Sequence, residues 1–385
     1  MEQSMEQRLW QGCTDGDLEA VKKLASDPAV DVNWVGEDRL DTPLHRACRF
    51  GHLAIVEVLL VQEKIEVNKG NKGDASPFGI ACQEGHKEVV SLLLADPRVD
   101  PNKPNKNEAT PLFVACQKGR KEVVLLLLAD PIIDPNKPQN KEVTPLYIAC
   151  QNGHKEVVLL LLADPRIDPN RLTKEGTPPF FIACRNGHED VVSMLLADPR
   201  IDPNKPMNDQ CTPLWYASQE GHLVVVQHLL ASGREIDTKM RCTFNNKTAA
   251  EQGRAMGTAD KEDHETEEDF QRSKTNAPLC AELLKEYECD PVTVRHRLRR
   301  RPGLREHFIG HLFALVVFHS DSFAVTNERT APSDTRRFFK MTPRLPLEIQ
   351  MIICNRVFGS AKDIILSRDS EPGFQLLART TTWQE

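Results

Sequence analysis

Six alanines, Ala47, Ala81, Ala115, Ala149, Ala183 and Ala217, recur every 34 residues without a slip. A fixed period of this length dictates architecture before any other motif is read, because each copy must be one structural unit resting on the next. Each alanine follows one of the pairs Thr42-Pro43, Ser76-Pro77, Thr110-Pro111, Thr144-Pro145, Pro178-Pro179 and Thr212-Pro213. Each precedes a glycine: Gly51, Gly85, Gly119, Gly153, Gly187 or Gly221.

The unit parses by local chemistry. Threonine can cap a helix, and proline just inside the start costs no backbone hydrogen bond. A short first helix then runs through segments such as "PLFVACQK" (111–118) and ends at Gly119. The second helix, "KEVVLLLLAD" (121–130), places Val123, Val124, Leu127 and Leu128 on one broad apolar side, and Pro131 stops it. The stretch "DPNKPQNKEV" (134–143) is too polar for a core strand and reads as an extended loop that returns the chain to the next Thr-Pro. One helix pair cannot bury its apolar face alone, so the units must stack into a solenoid held by neighbour contacts.

Composition narrows the function classes. A formal net charge of -7 argues against wholesale nucleic-acid binding. No stretch reaches the roughly 18 apolar residues of a membrane span. The start, MEQSMEQRLW, has no basic region followed by an apolar run, so cytoplasm or nucleus is the expected location. Five of the 11 cysteines, Cys48, Cys82, Cys116, Cys150 and Cys184, follow the repeated alanine. They read as small buried helix residues in a reduced compartment, not a disulfide framework. No phosphate-binding loop, dinucleotide fingerprint or serine elbow is present. Asp96, Asp130, Asp164 and Asp198 recur before prolines as turn residues, and His52, His86, His154, His188 and His222 recur beside glycine as structural positions. His307 and His311 lie four apart, but Glu306 precedes the first, so the metal-binding pattern with glutamate between them is not met. The expectation is a non-enzymatic chain with no catalytic residue, cofactor or metal.

The segment "DTPLHRACRFGHLAIVEVLL" (41–60) resembles an ankyrin repeat. The similarity covers residues 42–234 and extends more faintly over 6–260. It implies an all-α-dominated repeat solenoid of stacked helix pairs with projecting β-hairpin loops, whose concave side and loop tips bind proteins. It also implies about eight units once the atypical ends "GCTDGDLEAVKKLASDPAVDVN" (12–33) and "KTAAEQGRAMG" (247–257) are counted as caps. The period of 34 is one longer than the family's usual 33. The family's loop glycine is kept at Gly176, but Asp74, Glu108 and Glu142 replace it elsewhere. The family's loop-bridging histidine is kept at His45, with Gly79, Phe113, Tyr147, Phe181 and Trp215 at the equivalent sites, where packing is expected to replace the hydrogen bond.

By the same resemblance, two columns face a partner. One is mostly apolar: Arg46, Ile80, Val114, Ile148, Ile182 and Tyr216. The other is polar and includes Gln83, Gln117, Lys118, Gln151, Asn152 and Arg185. An apolar stripe beside a polar one suits an extended peptide or a helix. The alternative for Ile80 to Ile182 is plain packing. The partner is expected to be a protein or peptide, not a membrane or nucleic acid; its identity and the oligomeric state are not encoded in any motif.

The period ends before residue 260. Residues 261–271 read as a charged linker and 272–380 as a helical C-terminal domain. Within it, "LPLEIQMIICNRVF" (345–358) resembles the opening helix of an F-box, which would imply a ubiquitin-ligase adaptor. An unrecognised helical catalytic domain is the other alternative. The cluster Arg295, Arg297, Arg299, Arg300, Arg301 and Arg305 reads as a solvated helix face or a phosphate contact.

Overall fold

The computed structural model describes residues 3–261, 266–299 and 301. The F-box-like segment, His307, His311, Arg300, Arg305 and most of 272–380 lie outside the described residues. The chain divides into two compact units, Met1–Pro179 and Phe180–Glu385.

The first unit contains α1 (Met5–Asp15), α2 (Leu18–Ala25), α3 (Pro43–Phe50), α4 (Leu53–Leu60), α5 (Pro77–Glu84), α6 (Lys87–Leu94), α7 (Pro111–Gln117), α8 (Lys121–Leu128), α9 (Pro145–Gln151) and α10 (Lys155–Ala163). Odd-numbered helices stack on one another, and so do the even-numbered ones. Each first helix starts as its residues dictate: Thr110 Oγ1 accepts from Phe113 N at 3.2 Å, and Thr144 Oγ1 from Tyr147 N at 3.1 Å. The repeated alanine and cysteine are fully buried, as at Ala115 and Cys116, because the next first helix lies against them. Val123, Val124 and Leu127 of α8 are fully buried too.

The Gly-His pair between the two helices joins adjacent repeats. His52 Nε2 reaches Thr14 O at 3.2 Å, His86 Nε2 reaches Arg49 O at 2.9 Å and His154 Nε2 reaches Gln117 O at 3.0 Å. Arg120 does the same work with Nε, 2.9 Å from Gln83 O. These carbonyls end a first helix and have no partner within it, so the neighbour's ring satisfies them. The glycine opposite must be glycine twice over: Gly119 has φ +68°, and a Cβ there would lie 2.7 Å from His154 Nδ1.

The expected β-hairpin loops are not formed; among the described residues there is no strand. Each loop tip is a tight turn, such as the one closed by Asn105 N to Ala109 O at 3.0 Å. Each junction within the first unit shows a single tip-to-tip backbone bond, for example Lys106 N to Gly73 O at 2.8 Å, where a ladder needs a series. Prolines such as Pro101 and Pro104 remove donors from the loop. Asparagine side chains join the repeats instead. Asn68 Nδ2 donates to Arg98 O at 2.6 Å, and its Oδ1 accepts from Asp100 N at 2.8 Å. Asn33 bridges Lys64 O and Glu66 N, and Asn136 bridges Arg166 O and Asp168 N, in the same manner. The aspartate two residues before such an asparagine fixes the turn, as Asp100 Oδ1 does by accepting from Asn102 N at 2.9 Å.

The loop glycine position is left-handed whether or not glycine occupies it: φ is +55° at Asp74, +63° at Glu108, +58° at Glu142 and +77° at Gly176. His45 holds its family role. Its Nδ1 accepts from Thr42 N at 3.1 Å, so Nε2 carries the proton and donates to Ala75 O at 2.9 Å. Burial keeps this ring neutral by lowering its pKa.

The arginine of "ADPR" caps the preceding repeat. Arg98 Nη2 donates to Leu60 O at 2.7 Å and Arg166 Nη2 to Leu128 O at 2.8 Å, each guanidinium held by Asp96 or Asp164. Ile132 stands at the intervening site and is 69% exposed. Asp130 is in place beside it, its Oδ1 accepting from Ile132 N. Ile132→Arg should therefore stabilise the chain by about 0.5–1 kcal/mol, the worth of a charged bond at a helix C-terminus. A melting temperature that stays level or falls would show that the end of α6 is already satisfied.

The second unit contains α11 (Pro179–Arg185), α12 (Glu189–Ala197), α13 (Pro213–Gln219), α14 (Leu223–Ala231), α15 (Ala249–Met256), α16 (Glu267–Cys289) and α17 (Pro291–Arg299). Trp215 occupies the loop-bridging site and keeps the hydrogen bond, Nε1 donating to Lys247 O at 3.1 Å, where packing alone was expected. Cys211 and Cys242 form a disulfide, while Cys48, Cys82, Cys116, Cys150 and Cys184 are buried thiols outside any disulfide. Helix α16 begins inside the stretch read as linker. It packs on α13, α14 and α15. Gly253 replaces the repeated alanine because α16 comes so close: a Cβ there would lie 2.6 Å from Ala277 O.

Candidate functional site

The site residues read from sequence fall on both units. In the first unit, Ile80, Val114 and Ile148 are only 4%, 8% and 8% exposed. They offer a partner almost no area, because adjacent first helices cover them. The polar positions sit at the C-terminal ends of α5, α7 and α9, where the chain leaves the stack at each glycine. Gln117, Lys118 and Asn152 are exposed there; Gln83 and Gln151 are half-buried. Asn152 Nδ2 donates to Gln117 O at 2.9 Å, the same carbonyl that His154 reaches. The backbone of this edge is thus satisfied by the next repeat, and the Gln117 and Lys118 side chains project from a fixed base. Lys118 has no carboxylate partner among the described residues.

In the second unit, Ile182 is buried, Arg185 exposed and Tyr216 half-buried. The Arg185 guanidinium lies 5.1 Å above the Tyr216 ring, and that ring meets Phe181 and Trp215 edge-on at 5.1 and 5.0 Å. Burial, then the nearby Asp209 and Glu220 carboxylates, push the Tyr216 phenol pKa up, so it stays a neutral donor at physiological pH. Sequence reading missed Phe244, which is 64% exposed and edge-on to Trp215 at 5.5 Å. It stands outside the exact period, in the loop before α15, so no column pointed to it.

Little here supports chemistry. Burial raises the thiol pKa of Cys48, Cys82, Cys116 and Cys150, which makes them poor nucleophiles. Asp209, Cys211 and Cys242 lie close enough together to suggest a metal, but the two sulfurs are bonded to each other and Asp209 Oδ1 accepts from Cys211 N at 3.0 Å. This set therefore does not fit a metal ion. His52, His86, His154 and His222 face backbone carbonyls of the neighbouring repeat. Three of the clustered arginines are engaged within the chain: Arg295 with Tyr287 Oη, Arg297 with Glu286 and Arg299 with Ala231 O. No helix among the described residues is long and apolar enough to cross a membrane.

The family model described as "Ankyrin repeats (3 copies)" matches residues 9–105, 78–173 and 166–240. No curated protein sequence matches the chain. Among 440 matching solved chains is the ankyrin repeat domain of Bcl-3, described as a unique member of the IkappaB protein family. It shares 26% identity with a TM-score of 0.49, over 55% of this chain and 93% of that one.

Proposed function

Because the chain belongs to the ankyrin repeat family, whose arrays are non-catalytic scaffolds for protein–protein interaction, we propose that it holds a protein partner on the ends of its first helices and on its loop tips. The observation that carries this reading is the edge formed by Gln83, Gln117, Lys118, Gln151 and Asn152. Its Gln83 and Gln117 backbone carbonyls are consumed by the next repeat, while the Gln117, Lys118 and Asn152 side chains reach solvent. Rigid polar ends over a buried apolar layer suit an extended peptide or a helix, since little side-chain order is lost on binding. Taken by itself, the second unit presents Arg185 and Tyr216, side-chain types that often dominate interface energetics.

The test replaces Gln117, Lys118, Gln151 and Asn152 together by alanine. Proteins captured from cell extract by the intact chain should be held at least about tenfold less well by the variant, as expected when several interface contacts go at once. The melting transition should stay cooperative. Equal capture by both chains would remove the helix ends from the interface.

A further inference from the structure

The loop tips of the first unit carry two series of basic residues, and the structure treats them differently. The inner series is Lys69, Lys103, Lys137 and Arg171; the outer is Lys72, Lys106, Lys141 and Lys174, with Lys141 one residue later in its loop than the others. Members of the inner series brace the stack. Lys69 Nζ donates to Asn33 O at 3.4 Å, Lys103 Nζ to Asn68 O at 2.7 Å and Arg171 Nη1 to Asn136 O at 3.2 Å. Two of them also neutralise the acid of the preceding tip: Lys103 pairs with Asp74 at 3.4 Å and Arg171 with Glu142 at 3.2 Å. The outer four are all exposed, and none pairs with a carboxylate among the described residues. Lys174 Nζ meets only a carbonyl, Asn140 O at 2.7 Å. Their backbones are fixed from tip to tip: Lys72 N donates to Arg39 O, Lys106 N to Gly73 O and Lys174 N to Lys141 O. A chain of net charge -7 therefore holds one unneutralised cation per repeat, in a fixed row.

We infer that this row binds an extended acidic protein segment whose carboxylates recur about every third residue. The inference rests on the interaction reading above and names the partner chemistry for its loop tips. The spacing follows from two lengths. Stacked helices lie about 8–10 Å apart, and an extended chain advances about 3.3 Å per residue. One carboxylate per lysine then requires a step of about three residues. A nucleic acid or anionic membrane suits the row poorly. Exposed Glu108 and Glu175 interrupt the row and would repel a continuous line of phosphates, whereas carboxylates spaced to meet only the lysines avoid them. The four lysine-bearing tips also offer no aromatic side chain on which bases could stack.

The experiment titrates the full-length chain against fluorescent peptides at low salt and reads anisotropy. One peptide has glutamate at every third position among glycine and serine; a second has the same composition with its glutamates contiguous. The spaced peptide should bind at least about fivefold more tightly, with affinity falling as salt rises. Lys72→Glu, Lys106→Glu, Lys141→Glu and Lys174→Glu together should weaken it about tenfold or more, since four attractions become repulsions. The same charge change at Lys23, Lys87, Lys121 and Lys155, all on second helices, should change it less than about twofold. Equal binding of both peptides, equal loss in the two variants, or tighter binding of a single-stranded oligonucleotide or anionic vesicles would overturn the inference. The alanine variant of the helix ends keeps the two readings apart. If the peptide fails but capture still depends on the helix ends, only the acidic-segment inference falls. If capture fails to depend on them while the spaced peptide binds, the inference stands and the helix ends lose their role.

Discussion

Gly119→Ala is expected to destabilise the chain by about 1–3 kcal/mol, although it adds one methyl group at a turn. Two costs combine. Alanine at φ +68° places Cβ against the carbonyl oxygen that follows, which costs about 1–2 kcal/mol. The new Cβ would also lie 2.7–3.0 Å from three atoms of the His154 ring, which must move and release Gln117 O. Losing that bond from the end of α7 adds about 1 kcal/mol. Reduced freedom of the unfolded chain gives back only about 0.4–1 kcal/mol. Gly73→Ala is the matched control, because its nearest atom would be Asn71 Oδ1 at 3.5 Å and its φ is not left-handed. It should fall within about 0.5 kcal/mol of the parent. The double variant Gly119→Ala, His154→Ala separates the two costs: the clash disappears and the backbone strain remains. Urea unfolding of the four chains measures all of this. A Gly119→Ala chain as stable as the Gly73→Ala chain would mean that the turn adapts and that the repeats are not locked by this contact.

That lock was half legible in the sequence. The recurrence of glycine and histidine at a fixed period marked a structural position, and threonine, proline and glycine marked where first helices begin and end. Those signals are local, so each residue declares its own conformation. What the histidine touches is a neighbour 37 residues earlier, and nothing local declares that. Arg120 shows the same limit from the other side: it breaks the sequence pattern, yet its Nε fills the ring's place on Gln83 O.

The loops were misread for a related reason. The polar segment by itself reads as an extended loop; only the family resemblance implied paired strands. The bonds that join successive loops come from Asn33, Asn68 and Asn136, whose side chains imitate one rung of a ladder by donating and accepting at once. The recurring Asp-Pro-Asn was a visible signal for this. Asparagine and proline are common in any turn, so by itself the stretch reads only as an extended loop. The candidate site divides along the same line. Ile80, Val114 and Ile148 are covered by the adjacent first helices, whereas Gln117, Lys118 and Asn152 emerge where the chain turns away. Both columns have the same period, so spacing could not rank them; only packing does.

Ending the chain after residue 261 is expected to destroy cooperative melting of the second unit, whereas ending it after residue 301 should preserve it. Helix α16 buries Ala277, Cys280, Ala281, Leu284 and Tyr287 while packed on α13, α14 and α15. Five apolar side chains at about 1–3 kcal/mol each come to the order of 10 kcal/mol, comparable with the whole stability of a typical domain. The polar contacts point the same way. Arg272 Nε donates to Glu220 O at 3.2 Å and Arg299 Nε to Ala231 O at 2.8 Å, each satisfying a carbonyl near a helix end. Gly221 and Gly253 have no side chain because α16 backbone fills the space, with Arg272 O 2.7 Å and Ala277 O 2.6 Å from where a Cβ would stand. A terminal repeat needs an outer face that water accepts, and α16 and α17 supply it. The shorter chain should therefore aggregate in size-exclusion chromatography and exchange the amide hydrogens of α13 to α15 as an unfolded segment does. The longer one should protect them. Equal protection in both would show that α15 can end the array alone, and that α16 is an attachment to it and not its closing layer.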